Sequence, residues 1–559
     1  MSYPFKVEQL LGPLDGHILI GDPQSEFDSF CIDSRFVRSG GLFIPLLGQQ
    51  RDGHHFVLDA FQKGATAALV RRGHHLVPDI LKVLQESATY VSFSHLQHAT
   101  LMEVRHTLVA LQKVASWFRR QFASTKVLAI SGSVGKTQTK EMTLAMLSSK
   151  HRVVATDKNF NNEIGVPLTL AKLSPEVEIA VVEMAMRGHG EISLLSRIAQ
   201  PNVALITNVL GSHIGRLGSN IEVAKAKAEI VDGMKPGDVL WLNARDRCLP
   251  VVLSQLEKKQ ALRRGLELAF FDTSAARDVS SRLPSLTLPG DSGDRIQAPS
   301  VDTSPSLWVK DVELKGLSGS RFMLCRPGEC VPSQLKIAGC GPVANFTCAT
   351  ALCLQCGMSL EECADLGPHL EPVPQRLVPY ELRPGVVLLD DSYNSSPASS
   401  QEALELIAQL PPETRRILVL GDMLELGKYE TVFHRQIANQ VFALPPSLVI
   451  AVGPRMAALQ EVPAKNGWEV VWFPGVSDRL GLAAVAPPPD GDRGSHPARS
   501  RQEIVDDTTT ERIVERVQME LLASKSKETV VLVKGSRALH LERVVRGVLA
   551  LNGLEEKIL

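Results

Sequence analysis

No charge of either sign prevails in this sequence of 559 residues: 60 Lys and Arg stand against 61 Asp and Glu, a formal net charge of −1. No net field therefore draws the chain to nucleic acid or to an anionic membrane. No apolar stretch approaches the roughly 20 residues that a transmembrane helix needs. The opening MSYPFKVEQLLGPLDG lacks a basic region followed by an apolar run, so no secretory signal is expected. Cysteine is sparse and odd in number, nine in all, which suits a reducing cytosol better than a disulfide framework. No internal repeat of fixed period is present. What is there is ordinary: 44% apolar and 22% charged residues, the composition of a soluble globular protein. At ~150 residues per domain the length suggests three or four domains. The expectation is a cytoplasmic, multidomain protein.

Apolar runs divide the chain into three blocks. In residues 1–120, short strand-like runs (GHILIGD, GLFIPLL, TAALVRR) precede an expected helix, ATLMEVRHTLVALQKVASWFRRQF. Residues 121–370 open with VLAIS, a glycine loop and a helical stretch, followed by IAVVEMA, NVALITNV and DVLWLN. Residues 371–559 repeat that logic with GVVLLDDS, RRILVLGDM, SLVIAVGP, WEVVWF and TVVLVKGS. Short apolar strands alternating with helices predict parallel sheets covered on both faces. The fold class expected is α/β in three domains: a small N-terminal α/β domain, a central parallel-sheet phosphate-loop domain and a C-terminal doubly wound, Rossmann-like domain. Residues 273–306 and 484–500 are rich in Ser, Asp, Pro and Gly and read as flexible insertions.

The strongest local signal is Ser131-Gly132-Ser133-Val134-Gly135-Lys136-Thr137, set between a strand and a helix. Two glycines let the backbone turn tightly, so that its N–H groups converge at the positive end of a helix dipole. Lys136 supplies a cation for β- and γ-phosphate oxygens, and Thr137 a hydroxyl for Mg²⁺. Ile130 stands where the longer motif has its first glycine, so this is the shorter Gly-x-x-Gly-Lys-Thr form. The bland alternative, a glycine turn before a helix, explains neither the lysine nor the threonine.

That loop and its surroundings resemble the Mur ligases of bacterial cell-wall synthesis. The resemblance rests on Asp33-Ser34-Arg35 with GLFIPLLGQQRDGHHF, on SGSVGKTQTKEM, NFNNEIGVPLTL, TNVLGSHIGRLGS with KAKAEI, DDSYNSSP, GDMLELG and KGSR, in that order. It spans nearly the whole chain apart from the two insertions. It implies an ATP- and Mg²⁺-dependent amide ligase in which the γ-phosphoryl group activates a carboxylate that an amine then attacks. GDMLELG implies UDP-N-acetylmuramoyl-tripeptide and D-alanyl-D-alanine as the substrates. The sister ligase adding the third amino acid has an Asp-Asn-Pro-Arg signature that is absent here, and the Asp-Ser-Arg block fits a uridine nucleotide better than a folate. A non-catalytic nucleotide-binding homologue is the rival from another class. The family also implies a cytoplasmic enzyme with no nucleic-acid partner and no membrane insertion; a monomer is the default.

Roles follow from the same resemblance. Ser131 to Thr137, Asn345, Arg376 and Asp391 fall to ATP, with Arg376 at the γ-phosphate and Asp391 at the ribose. Read from position alone, Asp390 and Asp391 are also a possible acid/base pair. Thr137, Glu183, His213 and Lys227 fall to Mg²⁺, whose hard oxygen ligands suit a strand-end carboxylate. Lys227 aligns with a lysine that is carbamylated in related ligases, which would turn a cation into an anionic ligand. Lys136, His213 and Lys227 are the catalytic candidates. Ser34, Arg35, Asn161, Asn162, Lys534 and Ser536 fall to the substrates. Three departures stand out: Gln138 where a second threonine is usual, Gly341-Pro342 where His-Asn precedes Asn345, and Ser396 in place of an asparagine. Cys353-x-x-Cys356 suggests zinc, but no second pair is regularly spaced and the run is apolar, so buried unreactive thiols are expected.

Overall fold

Aliphatic and β-branched runs form the strands here, and the periodic stretches between them form the helices. The computed structural model describes residues 4–48, 51–87, 96, 98–210, 214–278, 283–284, 286, 300–444, 446–461, 469–475, 505–524, 526 and 528–554. An N-terminal five-stranded sheet runs in the order His17–Ile20, Thr100–Val104, Ala65–Arg71, Gly41–Phe43, Ser29–Cys31, beside a two-stranded pair. Its helix Thr107–Gln121 brings Trp117 and Phe118 against Phe5, with ring centroids 5.1 and 5.4 Å apart in edge-on geometry. Each such ring removes apolar area worth about 1.5–3 kcal/mol from water.

The central sheet has nine strands. Lys126–Ser131 lies between Ile179–Glu183 and Val203–Ile206, all parallel, and is buried on both faces. Beyond Val203–Ile206 the sheet continues through Val239–Asn243 and Glu267–Asp272 to Leu307–Leu314, still in parallel, and ends in two antiparallel strands. The C-terminal sheet has six strands, five of them parallel, with Val386–Asp391 beside Thr529–Lys534 and that strand beside Arg415–Gly421. The α/β class and its parallel sheets are as the sequence predicts. Among the described residues no helix is long and apolar enough to cross a membrane.

Three expectations need correction. Thr100–Val104 is a strand, not the start of a helix; it fills the slot between His17–Ile20 and Ala65–Arg71, and that pairing outweighs local helix preference. The helix begins only at Thr107. Residues 273–306 are not wholly irregular: Ser274–Asp278 is helical, Leu283 is buried against the C-terminal core, and the Pro284 carbonyl accepts from Gln440 Nε2 at 2.7 Å. Residues 279–282, 285 and 287–299, like the whole of 484–500, lie outside the described residues. Cys325 and Cys330 face each other across an antiparallel pair and are joined as a disulfide, whereas Cys348, Cys353 and Cys363 are free and buried.

Candidate functional site

Strand Lys126–Ser131 delivers the glycine loop to the edge of a cleft of about 400 Å³ between the central and C-terminal sheets. Gly132 has φ +147° and Gly135 φ +86°, backbone that L side chains rarely adopt. A Cβ on Gly132 would stand 1.9 Å from Thr207 Oγ1, and one on Gly135 would stand 2.1 Å from Asn345 Oδ1. The loop is thus wedged between two polar side chains with room for glycine only. Its amides do not all converge as expected: Ser133 N and Val134 N donate to the Asn208 backbone and side-chain oxygens, both at 3.0 Å. The helix opening at Lys136 supplies the converging donors instead, since the first N–H groups of any helix have no intrahelical acceptor. Lys136 Nζ donates to the carbonyls of Gly132 (2.8 Å) and Ser133 (3.2 Å), folded over the loop it serves. Burial pulls its pKa below the usual lysine value; Glu183 opposes this and Arg376 adds to it.

Glu183 ends the neighbouring strand, and one of its oxygens is fully used. Oε1 accepts from Asn161 Nδ2 at 2.8 Å and from the Thr137 hydroxyl at 3.3 Å. Oε2 is buried and, among the described residues, has no hydrogen-bond partner. An orphaned carboxylate oxygen is costly to bury without a compensating cation. The Thr137 hydroxyl beside it completes a hard-oxygen set suited to Mg²⁺. From the C-terminal side, Arg376 Nη2 donates to Thr137 Oγ1 at 3.3 Å, with its guanidinium 4.5 Å from the Tyr393 ring centroid. Sequence reasoning passed over Tyr393, although it sits inside DDSYNSSP; a planar cation beside a planar ring is the signal.

Lys227 is 1% exposed, at the end of the helix Asn220–Lys227, while Lys225 reaches outward to Glu222. Burial pushes its pKa well down, Lys136 adds to that, and Asp246 opposes it. Asp246, also missed from sequence, is fixed by two backbone donors, accepting from Val209 N at 2.7 Å and from Cys248 N at 2.8 Å. His213 lies outside the described residues. Asp391 is paired with Lys534 at 2.6 Å, both buried, and Lys534 also donates to the Asn394 carbonyl at 3.1 Å. Asp390 accepts from Ser392 N at 3.0 Å, a turn contact, so the two carboxylates have separate partners.

Other candidates are committed more locally. Asn161 and Asn162 both line the cleft, but Asn162 Oδ1 caps the next helix, accepting from Ile164 N and Gly165 N at 3.2 and 2.9 Å. Ser536 accepts from Leu424 N at 2.9 Å and stitches two loops together. Ser34 and Arg35 sit on a turn of the N-terminal domain capped by Asp33 and do not line this cleft. Ser34 is buried, and Arg35 pairs with Asp33 at 2.6 Å. The departures fit their surroundings. Gln138 Oε1 accepts from Asn345 Nδ2 at 2.6 Å, and Pro342 occupies the first turn of helix Cys340–Leu354, where its missing N–H costs no helical bond.

A second polar cluster lies in the N-terminal domain, where Asp52 bridges His54 Nδ1 (2.7 Å) and His74 Nε2 (2.8 Å). His54 Nε2 accepts from Arg71 N at 3.1 Å, so its proton is on Nδ1 and both nitrogens are occupied. This set is satisfied by hydrogen bonds and offers His54 no lone pair for a metal.

Glu402, on helix Pro397–Gln409, sets its carboxylate against Gly341 of the helix Cys340–Leu354. Burial pushes its carboxyl up to about 7; Arg277 and Lys534 oppose the shift, while Asp391 and Glu405 add to it. A carboxyl raised in the folded state gives stability that is present below the unfolded value of 4.5 and lost as pH climbs through about 7. Glu402→Gln is therefore expected to raise the melting temperature relative to wild type at about pH 8.5 and to leave it nearly unchanged at about pH 4. Scanning calorimetry at both pH values checks this.

Residues 26–123 match the Mur ligase family catalytic domain, 130–281 the Mur ligase middle domain, and 375–537 the Mur ligase glutamate ligase domain. The UDP-N-acetylmuramoyl-tripeptide–D-alanyl-D-alanine ligase of Synechocystis is 34% identical over 75% of this chain and 77% of its own length. The chain belongs to the Mur ligase family. The ligase of the same description from Escherichia coli is 30% identical to this Mur ligase over 81% of the chain and 87% of its own length. Among solved structures, MurF from Acinetobacter baumannii superposes with a TM-score of 0.74 at 24% identity, covering 98% of this chain and 99% of that one. MurF from Thermotoga maritima in complex with ADP superposes at 0.65 and 23% identity, covering 95% and 98%. These two establish that this Mur ligase has the three-domain fold of those enzymes.

Proposed function

We propose that this Mur ligase joins D-alanyl-D-alanine to UDP-N-acetylmuramoyl-tripeptide with hydrolysis of ATP to ADP and phosphate. One observation carries the reading: Arg376 from the C-terminal side meets Thr137 of the phosphate loop beside the half-satisfied carboxylate of Glu183. Cations and an acceptor are then gathered where charge moves between two oxygens. A tripeptide carboxylate oxygen attacks the γ-phosphorus as its bond to the ADP oxygen breaks. The dipeptide amine attacks the resulting acyl carbon and loses a proton, and phosphate departs with the C–O bond. Such chemistry depends chiefly on positioning and charge neutralisation. Lys136 and Arg376 are placed to neutralise phosphoryl oxygens, and Asn161 orients Glu183. Thr137 and Glu183 would hold Mg²⁺, with Lys227 behind them; the ion would neutralise charge on the transferring phosphoryl group.

The domain assignment 1–120, 121–370 and 371–559 is part of this reading. The first would hold the uridine diphosphate end through Ser34 and Arg35, and the other two would enclose ATP. A nucleotide-linked substrate and ATP together support a cytoplasmic site of action. The test is phosphate release from MgATP with the UDP-tripeptide, with and without D-alanyl-D-alanine, while the product mass is followed. Release that requires the dipeptide, with a UDP-muramoyl-pentapeptide product, is expected. Nucleotide binding without turnover on these substrates would overturn the assignment.

A further inference from the structure

We propose that Ile214 is a positioning residue for the reaction: seated in the core of the C-terminal domain, it fixes the loop 422–426 relative to the phosphate loop. Its effect on turnover rests on the ligase reading; its effect on the domain arrangement does not. Helix Ile214–Leu217 belongs by chain order to the central domain, a few residues after strand Val203–Ile206. Its two large apolar side chains nevertheless go to different cores. Leu217 packs against the central cluster, whereas the buried Ile214 joins the C-terminal cluster with Met423, Leu426 and Phe433. Backbone contact reinforces that seat. A Cβ on Gly215 would stand 2.5 Å from Glu425 O and from Gly427 N, and one on Gly427 would stand 2.7 Å from Gly215 Cα. Gly215 N donates to the Glu425 carbonyl at 3.3 Å, and the Tyr429 hydroxyl donates to the Gly218 carbonyl at 2.9 Å.

Both sides of this joint are tied to the cleft. On the central side, Asn208 accepts from Ser133 N and Val134 N. The Ser133 hydroxyl donates to the Leu210 carbonyl at 2.7 Å and accepts from Leu210 N at 2.9 Å. Leu210 and Ile214 are four positions apart, a reach of at most about 14 Å, so a short tether runs from the phosphate loop to the seat of Ile214. On the C-terminal side, Met423 N donates to His434 Nε2 at 3.0 Å and Leu424 N to Ser536 Oγ at 2.9 Å, which holds the loop on its own domain. Leu424, Glu425 and Leu426 line the cleft. Ile214 thus joins the phosphate loop to a part of the cleft wall that the other domain supplies. A carboxylate, a phosphoryl group and an amine must meet there in turn, and a misplacement of about 1 Å is enough to cost about 10²-fold in rate. An apolar side chain that touches no reacting atom then governs turnover through geometry.

Gly215→Ala is the sharpest variant. Gly215 lies outside the left-handed region and alanine favours helix, so the central domain accepts the change, while the new Cβ meets the Glu425 carbonyl and wedges the joint apart. Ile214→Ala empties the seat, and Ile214→Val nearly refills it. Each full-length variant is followed by a melting curve, small-angle X-ray scattering with MgADP, calorimetric binding of ADP and steady-state phosphate release. In Gly215→Ala and Ile214→Ala, ADP affinity is expected to stay within about 3-fold of wild type, because the loop 131–137 and its helix hold the phosphates. In both, kcat is expected to fall by about 10²-fold with KM for ATP little changed. Their radius of gyration should exceed that of wild type, and Ile214→Val should keep most of the turnover. Scattering like that of wild type, or turnover like that of wild type, in whichever of the two variants folds would overturn the proposal. ADP binding lost in step with turnover would also overturn it, since the segment would then only support the phosphate loop. Wild type that makes no pentapeptide would overturn the function instead, and the joint is then judged on scattering and ADP binding alone.

Discussion

Replacing Lys136 with alanine is expected to lower dipeptide-dependent phosphate release by at least about 10³-fold, some 4 kcal/mol of transition-state stabilisation. The structure says why the loss falls on turnover. Lys136 Nζ now rests on the Gly132 and Ser133 carbonyls at 2.8 and 3.2 Å. It is a donor held at the loop, ready to exchange those carbonyls for phosphate oxygens. The shape of the loop does not depend on it, since Asn208, Thr207 and Asn345 hold the backbone from three sides. The variant should keep its melting temperature and bind nucleotide only moderately more weakly. Lys136→Arg should not restore activity, because a planar fork cannot retrace the path of a single ammonium between those carbonyls. Stopped-flow or coupled phosphate assays beside a melting curve decide the matter. Full turnover in a folded alanine variant would remove the loop from the chemistry.

The loop was legible because it is local: strand, two glycines, lysine, threonine and helix follow one another, and each bears its own constraint. The same holds for strand ends such as Glu183 and Asp391, which follow apolar runs. What could not be read were partnerships across the chain. Lys534 closing on Asp391, Gln138 receiving Asn345 and Arg376 lying against Tyr393 join residues 143, 207 and 17 positions apart. They arise from strand register, as for Asp391 and Lys534 on neighbouring parallel strands, and from packing of helices and loops that meet only in the fold. Asn162 has a local task that its motif did not reveal: it lines the cleft while its oxygen accepts from the next helix start. The strand at Thr100–Val104 was misread as helix because the sheet slot that claims it is built from strands far earlier in the chain. The Cys325–Cys330 pair was missed for a related reason, since their register became visible only with the hairpin. Glu402 and Asp246 carry no motif at all. Only their burial and their neighbours mark them.

Loss of the Lys227 side chain is expected to be nearly as severe as loss of Lys136, for a different reason. A lysine that is 1% exposed needs either a counter-charge or neutrality. Asp246 lies near, but its own carboxyl is pushed up by burial, and Lys136 repels a second positive charge from nearby. Both influences favour the neutral amine at Lys227, the form that reacts with carbon dioxide. Nitrogen attacks the carbon, one C=O bond opens to an oxyanion, and the proton leaves to solvent, so a cation becomes an anionic oxygen donor. That change would relieve the repulsion from Lys136 and add an anionic group behind Thr137 and Glu183. Native mass analysis in bicarbonate buffer is expected to show the full chain heavier by one carbon dioxide. Lys227→Ala should not gain that mass, and turnover in the variant should fall on the order of 10²–10⁴-fold with its fold intact. Wild-type activity should also decline in bicarbonate-free buffer and recover when bicarbonate is returned. An unmodified mass together with bicarbonate-independent turnover would show that Lys227 acts as an amine, and its burial would then need Asp246 as its ionised partner.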